Sequence, residues 1–280
     1  MKSLVKFPAY RLYEKSRIEM NDAIMANLVS LQLTQHSLKP VDDDTLMLPD
    51  IFPTVKHIKR LHLSVNSVNR LLTNAGSHLS TMAIPYILAL HEDYVMANLQ
   101  LLRQAGLISG RTIRSVRSER MHEEFEAATN STIPVDMLEQ FHLLRLIRNS
   151  LIHTGGVPSA DLEHISQTIS QVGGRNWKKV TGKRPDELIV ANEITKLDYG
   201  ETLICLAITK NIAMELNIAL QLALSKSIWC SILQEDFINN HTKIEGLKLR
   251  TRKVSMYATI YYKPLGLSKG DLEQIARQIP

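Results

Sequence analysis

Cysteine is scarce in this sequence, and its placement argues against several kinds of site. The 280-residue chain has two cysteines, Cys205 and Cys230. No Cys-x-x-Cys pair occurs, and no secretory signal peptide precedes the cysteines. We therefore expect no disulfide framework, no thiolate zinc site and no iron–sulfur cluster.

Long uncharged apolar runs are also scarce. Stretches such as Leu216 to Ser225 are shorter than the ~18 to 20 residues that a membrane-spanning helix needs. Together with the sparse cysteines, this predicts a reduced protein of the cytoplasm with no membrane partner.

The motifs of common enzyme classes are missing as well. No phosphate-binding loop ends in Gly-Lys-Ser/Thr, and neither Gly-x-Gly-x-x-Gly after a strand nor Gly-x-Ser-x-Gly occurs. The ten histidines are scattered, and no second histidine follows His91 at the spacing of a zinc-protease helix. We expect no cofactor and no metal site.

Helical periodicity is what the sequence does contain. The composition, 44% hydrophobic and 22% charged, is typical of a globular chain, and apolar residues recur at three- and four-residue spacing. These patterns predict an all-α bundle. The predicted helices begin at Pro8, Ile58, Ser80, Arg111, Pro134, Ser159, Asp198 and Ser268.

The chain is predicted to have three consecutive segments. Residues 1–76 form an N-terminal helical extension, residues 77–235 the main bundle, and residues 236–280 a basic C-terminal segment. Within the last segment, residues 253–263 are rich in Val, Ile, Thr and Tyr and are interpreted as a strand.

Positive charge is unevenly distributed, although the whole chain carries only +5. Two groups are candidate polyanion surfaces, and the second has tyrosines that could stack on bases. The alternative is an ordinary solvated helix face and a segment packed on the bundle. The first group is Arg111, Arg114 and Arg117; the second includes Lys243, Lys248, Arg250, Arg252, Lys253 and Tyr257.

The stretch from Leu138 to His153 contains the strongest candidate for chemistry. At 100° per residue, Arg148 is predicted near the middle of an apolar face with Phe141, Leu144, Leu151 and Ile152, where a charge needs a partner. Glu92 and Asp93 are candidate partners. His153 ends the helix, where the macrodipole favours an imidazolium that could exchange a proton near neutral pH.

The string Arg148-Asn149-Ser150-Leu151-Ile152-His153, followed by Thr154-Gly155-Gly156, resembles the signature of the HEPN superfamily. In that family an arginine, commonly followed by asparagine, precedes a histidine by four to six residues within a helical bundle. The resemblance covers Ser80 to about Leu233 and matches no named subfamily.

The resemblance implies a metal-independent endoribonuclease that acts through the RNA 2′-hydroxyl, often as a toxin or antiphage effector restrained by an antitoxin or regulatory protein. It makes His153 the general acid or base, Arg148 the phosphate ligand and Asn149 an orienting group, in a site shared by two copies of the chain. Arg145, His142, Glu92 and Asp93 are further candidates for the same cleft.

Two other functions remain open from the sequence. One is a HEPN-like module that binds RNA, a nucleotide or a protein without cutting. The other is a DNA-binding regulator, because Leu101 to Ser109 resembles the middle of a winged-helix reader and is followed by the spaced arginines.

Overall fold

The computed structural model describes residues 3–39, 41, 43, 45–241 and 244–279. The chain is 75% helical and has almost no strand among these residues, so the all-α prediction is confirmed. The α-helices are α1 (Pro8–Leu38), α2 (Leu48–Ile51), α3 (Val65–Gln104), α4 (Gly110–Ser115), α5 (Met121–Thr129), α6 (Val135–His153), α7 (Ala160–Thr168), α8 (Gln171–Thr181), α9 (Tyr199–Ala223), α10 (Lys226–Asn240), α11 (Leu247–Tyr261) and α12 (Lys269–Gln278). Short 3-10 turns lie at Ile58–Arg60, Pro185–Leu188 and Lys263–Leu265.

Several predicted boundaries are wrong. The two helices expected around Gly76 and Ser80 are one continuous helix, α3, which also contains Pro85. Ser80 is buried in it and donates to the Asp198 carbonyl at 2.9 Å instead of capping a helix end. Likewise, the helix expected from Arg111 to Thr129 is interrupted between α4 and α5.

The strand expected at residues 253–263 is also wrong, because these residues belong mainly to α11. Val254, Tyr257 and Ala258 are buried at three- and four-residue spacing, which is the pattern of a helix face. Lys243 of the predicted basic group lies outside the described residues. The final helix is confirmed as α12, with a capping box between Ser268 and Asp271.

The structure divides into two units, each built from separated parts of the chain. The first contains Met1–Arg17, Leu88–His142 and Ala207–Pro280, and the second contains Ile18–Ile87 and Leu143–Leu206. The helices α1, α3, α6 and α9 each contribute residues to both units. The three predicted segments, in contrast, are consecutive stretches of sequence.

The first unit has an aromatic core and a buried ion pair. Tyr13 stacks on Tyr94 with ring centroids 4.6 Å apart, and Phe7 meets Trp229 edge-on at 5.7 Å. Both oxygens of the buried Asp236 accept hydrogen bonds from the Arg11 guanidinium, at 2.8 and 2.6 Å. Residues early in the chain are thereby fixed to residues more than 200 positions later.

The second unit contains a small core and a two-stranded hairpin. Leu38, Leu48, Ile58, Val65 and Val68 form the core cluster. The strands β1 (Ile189–Val190) and β2 (Glu193–Ile194) pair antiparallel. Ala191 and Asn192 join them with positive φ, as a tight hairpin turn requires. At the predicted start of α9, the Glu201 carboxylate accepts from the Asp198 amide at 2.7 Å, which is one of the two hydrogen bonds of a capping box, and the Asp198 carboxylate accepts from the Tyr199 amide at 2.7 Å.

Within the described residues one helix, α9, is long and apolar enough to cross a membrane by length and composition. It contains Lys210 and Glu215, so it is not one of the uncharged runs considered in the sequence. In the structure 61% of its most apolar window is buried inside the protein, as in the core helix of a bundle.

Two histidines of the first unit form a buried pair. The Nε2 atoms of His91 and His122 are 2.9 Å apart, and the rings pack against Phe141 and Tyr13. One ring must donate and the other accept, so the hydrogen bond suits two neutral rings. Burial lowers the pKa of His91 to about 3. Burial, followed by the proximity of His91 and His142, also lowers the pKa of His122.

This pair makes folding sensitive to acid. In the unfolded chain a histidine titrates near ~6.5, so below that pH the unfolded chain binds more protons and the folded state loses stability. We expect His91 alone to lower the free energy of unfolding by about 2 kcal/mol between pH 7.5 and pH 5, and His122 to add to the loss. Urea unfolding at both pH values measures it, and equal midpoints would contradict a neutral pair.

Candidate active site

The helix α6 begins and ends where the sequence places it. Pro134 precedes its first turn, and its carbonyl accepts from the Met137 amide at 3.0 Å. At the other end, Gly155 and Gly156 have φ of 65° and 95°, which residues with a Cβ rarely adopt. His153 is therefore the last helical residue.

The turn after His153 is held by several hydrogen bonds. The amides of Thr154 and Gly156 both donate to the Ser150 carbonyl, at 3.2 and 3.0 Å. The Thr154 hydroxyl lies within hydrogen-bond distance of the carbonyls of Ser150 and Val157. The Gly156 carbonyl in turn accepts from the Ile194 amide of β2 at 3.2 Å. These bonds fix the backbone on which His153 is mounted.

The buried side of α6 differs from the predicted one. In the second unit Leu143, Leu144 and Ile147 are fully buried, whereas Ile152, expected on the apolar face, is 54% exposed. Arg148 consequently lies at the margin of the buried face and is half-buried, although its Nε atom is inaccessible to solvent. The helix buries a face rotated from the one that apolar spacing suggested.

The motif residues share the accessible side of α6. At 100° per residue Arg148 and His153 are about 140° apart, and Arg145, Asn149 and Ile152 lie between them. Arg145, Arg148 and Asn149 are half-buried, and His153 is exposed. No Asp or Glu occurs between residues 143 and 153. This face therefore presents two guanidinium groups, an amide and an imidazole, a set of donors that suits an anion.

The other candidates for the cleft lie in the first unit. His142 packs edge-on against Phe141 with centroids 5.6 Å apart. Glu92 is half-buried on α3 and the neighbouring Asp93 is exposed. The structure thus groups Arg145, Arg148, Asn149 and His153 in one unit and places these three residues in the other.

The predicted RNA-binding residues separate into two classes. Arg111, Arg114, Arg117, Lys248, Arg252 and Lys253 are exposed, as that role requires. The structure contradicts the RNA-binding role predicted for Arg250 and Tyr257. The Arg250 guanidinium donates to the backbone carbonyls of Ile244, Ala276 and Ile279, and the Tyr257 ring is buried. Arg250 therefore fastens α11 to α12, and Tyr257 cannot stack on a base.

Sequence reasoning missed the exposure of Ile152 and the groove beside α12 that Lys248 and Arg252 line. A helical interpretation of residues 253–263 would have indicated the groove. On a helix, the apolar Leu247, Met256 and Ile260 lie among cations, which is typical of an exposed binding surface. Among the described residues, no three His, Cys, Asp or Glu side chains are grouped as they would be around a metal ion.

Comparison with known proteins gives no match to a family model, a curated protein or a solved structure.

Proposed function

We propose that this protein is an endoribonuclease of HEPN type, a toxin or defence effector that cuts RNA without a metal ion. The observation that supports the proposal is the accessible face of α6, on which Arg148, Asn149 and His153 are displayed at the end of a helix fixed by the Gly155–Gly156 turn. The resemblance of the string from Arg148 to His153 to the HEPN signature gives these residues their roles.

The chemistry is transfer of the phosphodiester to the neighbouring ribose oxygen. The 2′-hydroxyl loses its proton and attacks phosphorus, the bond to the 5′-oxygen breaks, and that oxygen takes up a proton. The products are a 2′,3′-cyclic phosphate end and a 5′-hydroxyl end. His153 exchanges these protons, Arg148 neutralises the charge that builds up on the phosphate oxygens, and Asn149 orients the phosphate.

The site is completed by a second copy of the chain. Arg148 and His153 lie at the two edges of the accessible face of α6, so one helix alone flanks a phosphate poorly. A second α6 related by a two-fold axis brings the His153 of one copy towards the Arg148 of the other. The exposed Ile152 between them supplies an apolar contact for such an interface.

Cleavage in the presence of a chelator tests the proposal. Purified protein is incubated in EDTA with labelled total RNA and tRNA, and the product ends are mapped. We expect fragments that end in cyclic phosphate. An oligonucleotide in which deoxyribose replaces the ribose at the cut position should remain intact, because it lacks the attacking hydroxyl. Intact RNA in every lane together with tight RNA binding would instead indicate a binding module that does not cut.

The DNA-binding alternative has less support from the structure. The segment after Gln104 does turn at Gly106 and enters a helix at Gly110. However, α4 has six residues, a length of about 9 Å, which is short for a helix that reads a major groove. Its arginines are better placed to contact phosphates than base edges.

A further inference from the structure

The outer face of α11 forms a groove with α12 that the proposed nuclease chemistry does not use. The cavity has a volume of about 990 Å³ and lies entirely within the first unit. Ser255, Met256, Thr259 and Ile260 of α11 line it together with Lys269, Glu273 and Arg277 of α12.

Apolar side chains in this groove are unusually exposed for a folded chain. Met256 is 57% and Ile260 62% exposed, and Leu247 at the start of α11 is 47% exposed. They are aliphatic, whereas the nearby Tyr257 and Tyr262 are buried. A groove for nucleic-acid bases would be expected to present exposed aromatic rings. Exposed aliphatic side chains along a concave surface instead favour the apolar face of a protein segment.

The charge of the groove indicates the charge that the partner segment must carry. Its lining carries four cationic side chains, Lys248, Arg252, Lys269 and Arg277, and one carboxylate, Glu273. Glu273 lies 4.0 Å from Lys269, which it partly neutralises. The remaining positive charge lies on both helices and flanks the apolar side chains. A complementary partner therefore has an apolar stripe with acidic residues on both sides.

The groove is preformed, because α12 is bonded both to α11 and to the neighbouring helix α10. Arg250, on the inner side of α11, donates to the carbonyls of Ala276 and Ile279 at the end of α12. Lys226 of α10 forms an ion pair with Asp271 at the start of α12, at 2.5 Å. A partner would therefore spend little free energy on ordering this surface.

We infer that the groove between α11 and α12 binds an acidic amphipathic helix of a partner protein. The fifteen residues of α11 span about 22 Å, which matches a partner helix of about four turns. Aliphatic residues of that helix contact Leu247, Met256 and Ile260, and its carboxylates pair with Arg252 and Arg277. None of the residues that line the groove is among the α6 residues proposed for catalysis.

Fluorescence anisotropy with three labelled fifteen-residue peptides tests this inference. The first has leucines at three- and four-residue spacing flanked by glutamates, the second is a shuffled version of it, and the third has lysine in place of each glutamate. We expect the first to bind at least ~10-fold more tightly than the others and to weaken with added salt. Equal binding of the shuffled or basic peptide, or no binding of the first, would overturn the inference.

Protein variants then locate the binding. Ile260→Glu and Arg252→Glu should each weaken the first peptide at least ~10-fold. Their matched controls, Leu222→Glu at an 84% exposed apolar position of α9 and Arg111→Glu at an exposed arginine of α4, should leave it unchanged. Circular dichroism establishes that each variant is folded. Binding that survives both groove variants would overturn the assignment.

Two further probes distinguish other occupants. A twenty-nucleotide single-stranded RNA and phosphatidylserine vesicles are titrated against the wild type, Arg252→Glu and Arg148→Ala proteins. If either probe loses affinity in Arg252→Glu while the acidic peptide does not bind, the occupant is RNA or membrane and the inference fails. RNA cleavage by Ile260→Glu at the wild-type rate distinguishes this surface from the nuclease site, since Ile260 is not among the predicted RNA-binding residues.

Discussion

Replacing His153 by alanine is expected to lower the rate of RNA cleavage by a factor of about 10² to 10⁴, the usual contribution of a general acid or base. The imidazole is exposed at the end of α6, so its loss leaves no cavity in the core. RNA binding should change little, because the arginines that attract phosphate remain. Single-turnover cleavage of a labelled RNA measures the rate, and anisotropy measures binding.

The matched control is His164→Ala, which removes an exposed histidine from α7 in the same unit. It should cleave like the wild type. Arg148→Ala should also lose cleavage, whereas Arg175→Ala, at an exposed arginine of α8, should not. If the protein is toxic on expression, His153→Ala and Arg148→Ala should relieve the toxicity, whereas His164→Ala and Arg175→Ala should not. Undiminished cleavage by His153→Ala would refute its role as acid or base.

Replacing Asp236 by alanine is expected to lower the free energy of unfolding by about 2 to 4 kcal/mol, because it leaves a partly buried cation without its partner. Asp236 is 2% exposed and accepts from Arg11, from the Tyr262 hydroxyl at 2.7 Å and from Asn240 at 3.1 Å. Its hydrogen bond to Arg11 raises the pKa of the guanidinium, which therefore stays charged. The variant also leaves the buried Tyr262 hydroxyl without an acceptor.

Urea unfolding followed by circular dichroism measures the loss. Asp22→Ala, at an exposed position within α1, is the control and should change the free energy of unfolding by less than about 0.5 kcal/mol. The double variant Arg11→Met with Asp236→Leu should recover part of the stability, since it removes both charges together. A single variant Asp236→Ala as stable as Asp22→Ala would show that the ion pair contributes nothing to folding.

Local sequence features predicted the parts of the structure that depend on neighbouring residues. Pro134 and the glycines after Thr154 bracket α6 as expected, since proline and positive φ act within a turn. The hydrogen bond from the Asp198 amide to the Glu201 carboxylate likewise marks the start of α9. Such devices join residues at most a few positions apart, so they can be recognised without knowing the fold.

The errors concern residues whose partners are distant in sequence. Ser80 has the residue type of a helix cap, but it lies inside α3 because the Asp198 carbonyl, 118 positions later, accepts its hydroxyl. Arg250 has the residue type of a phosphate ligand, but its guanidinium is occupied by carbonyls of α12. The prediction of the exposed side of α6 is wrong for the same reason. The helices that pack on a helix decide which of its faces is buried.

The pairing of Arg11 with Asp236 has a consequence for synthesis on the ribosome. Residues 3–17 emerge early, but the carboxylate and the tyrosines that Arg11 contacts lie at positions 236, 257 and 261. Until Trp229 leaves the exit tunnel, Phe7 lacks the ring that it meets edge-on in the finished fold. The first unit must therefore close after translation of α11, and chaperones that bind aromatic segments have access to it throughout that interval.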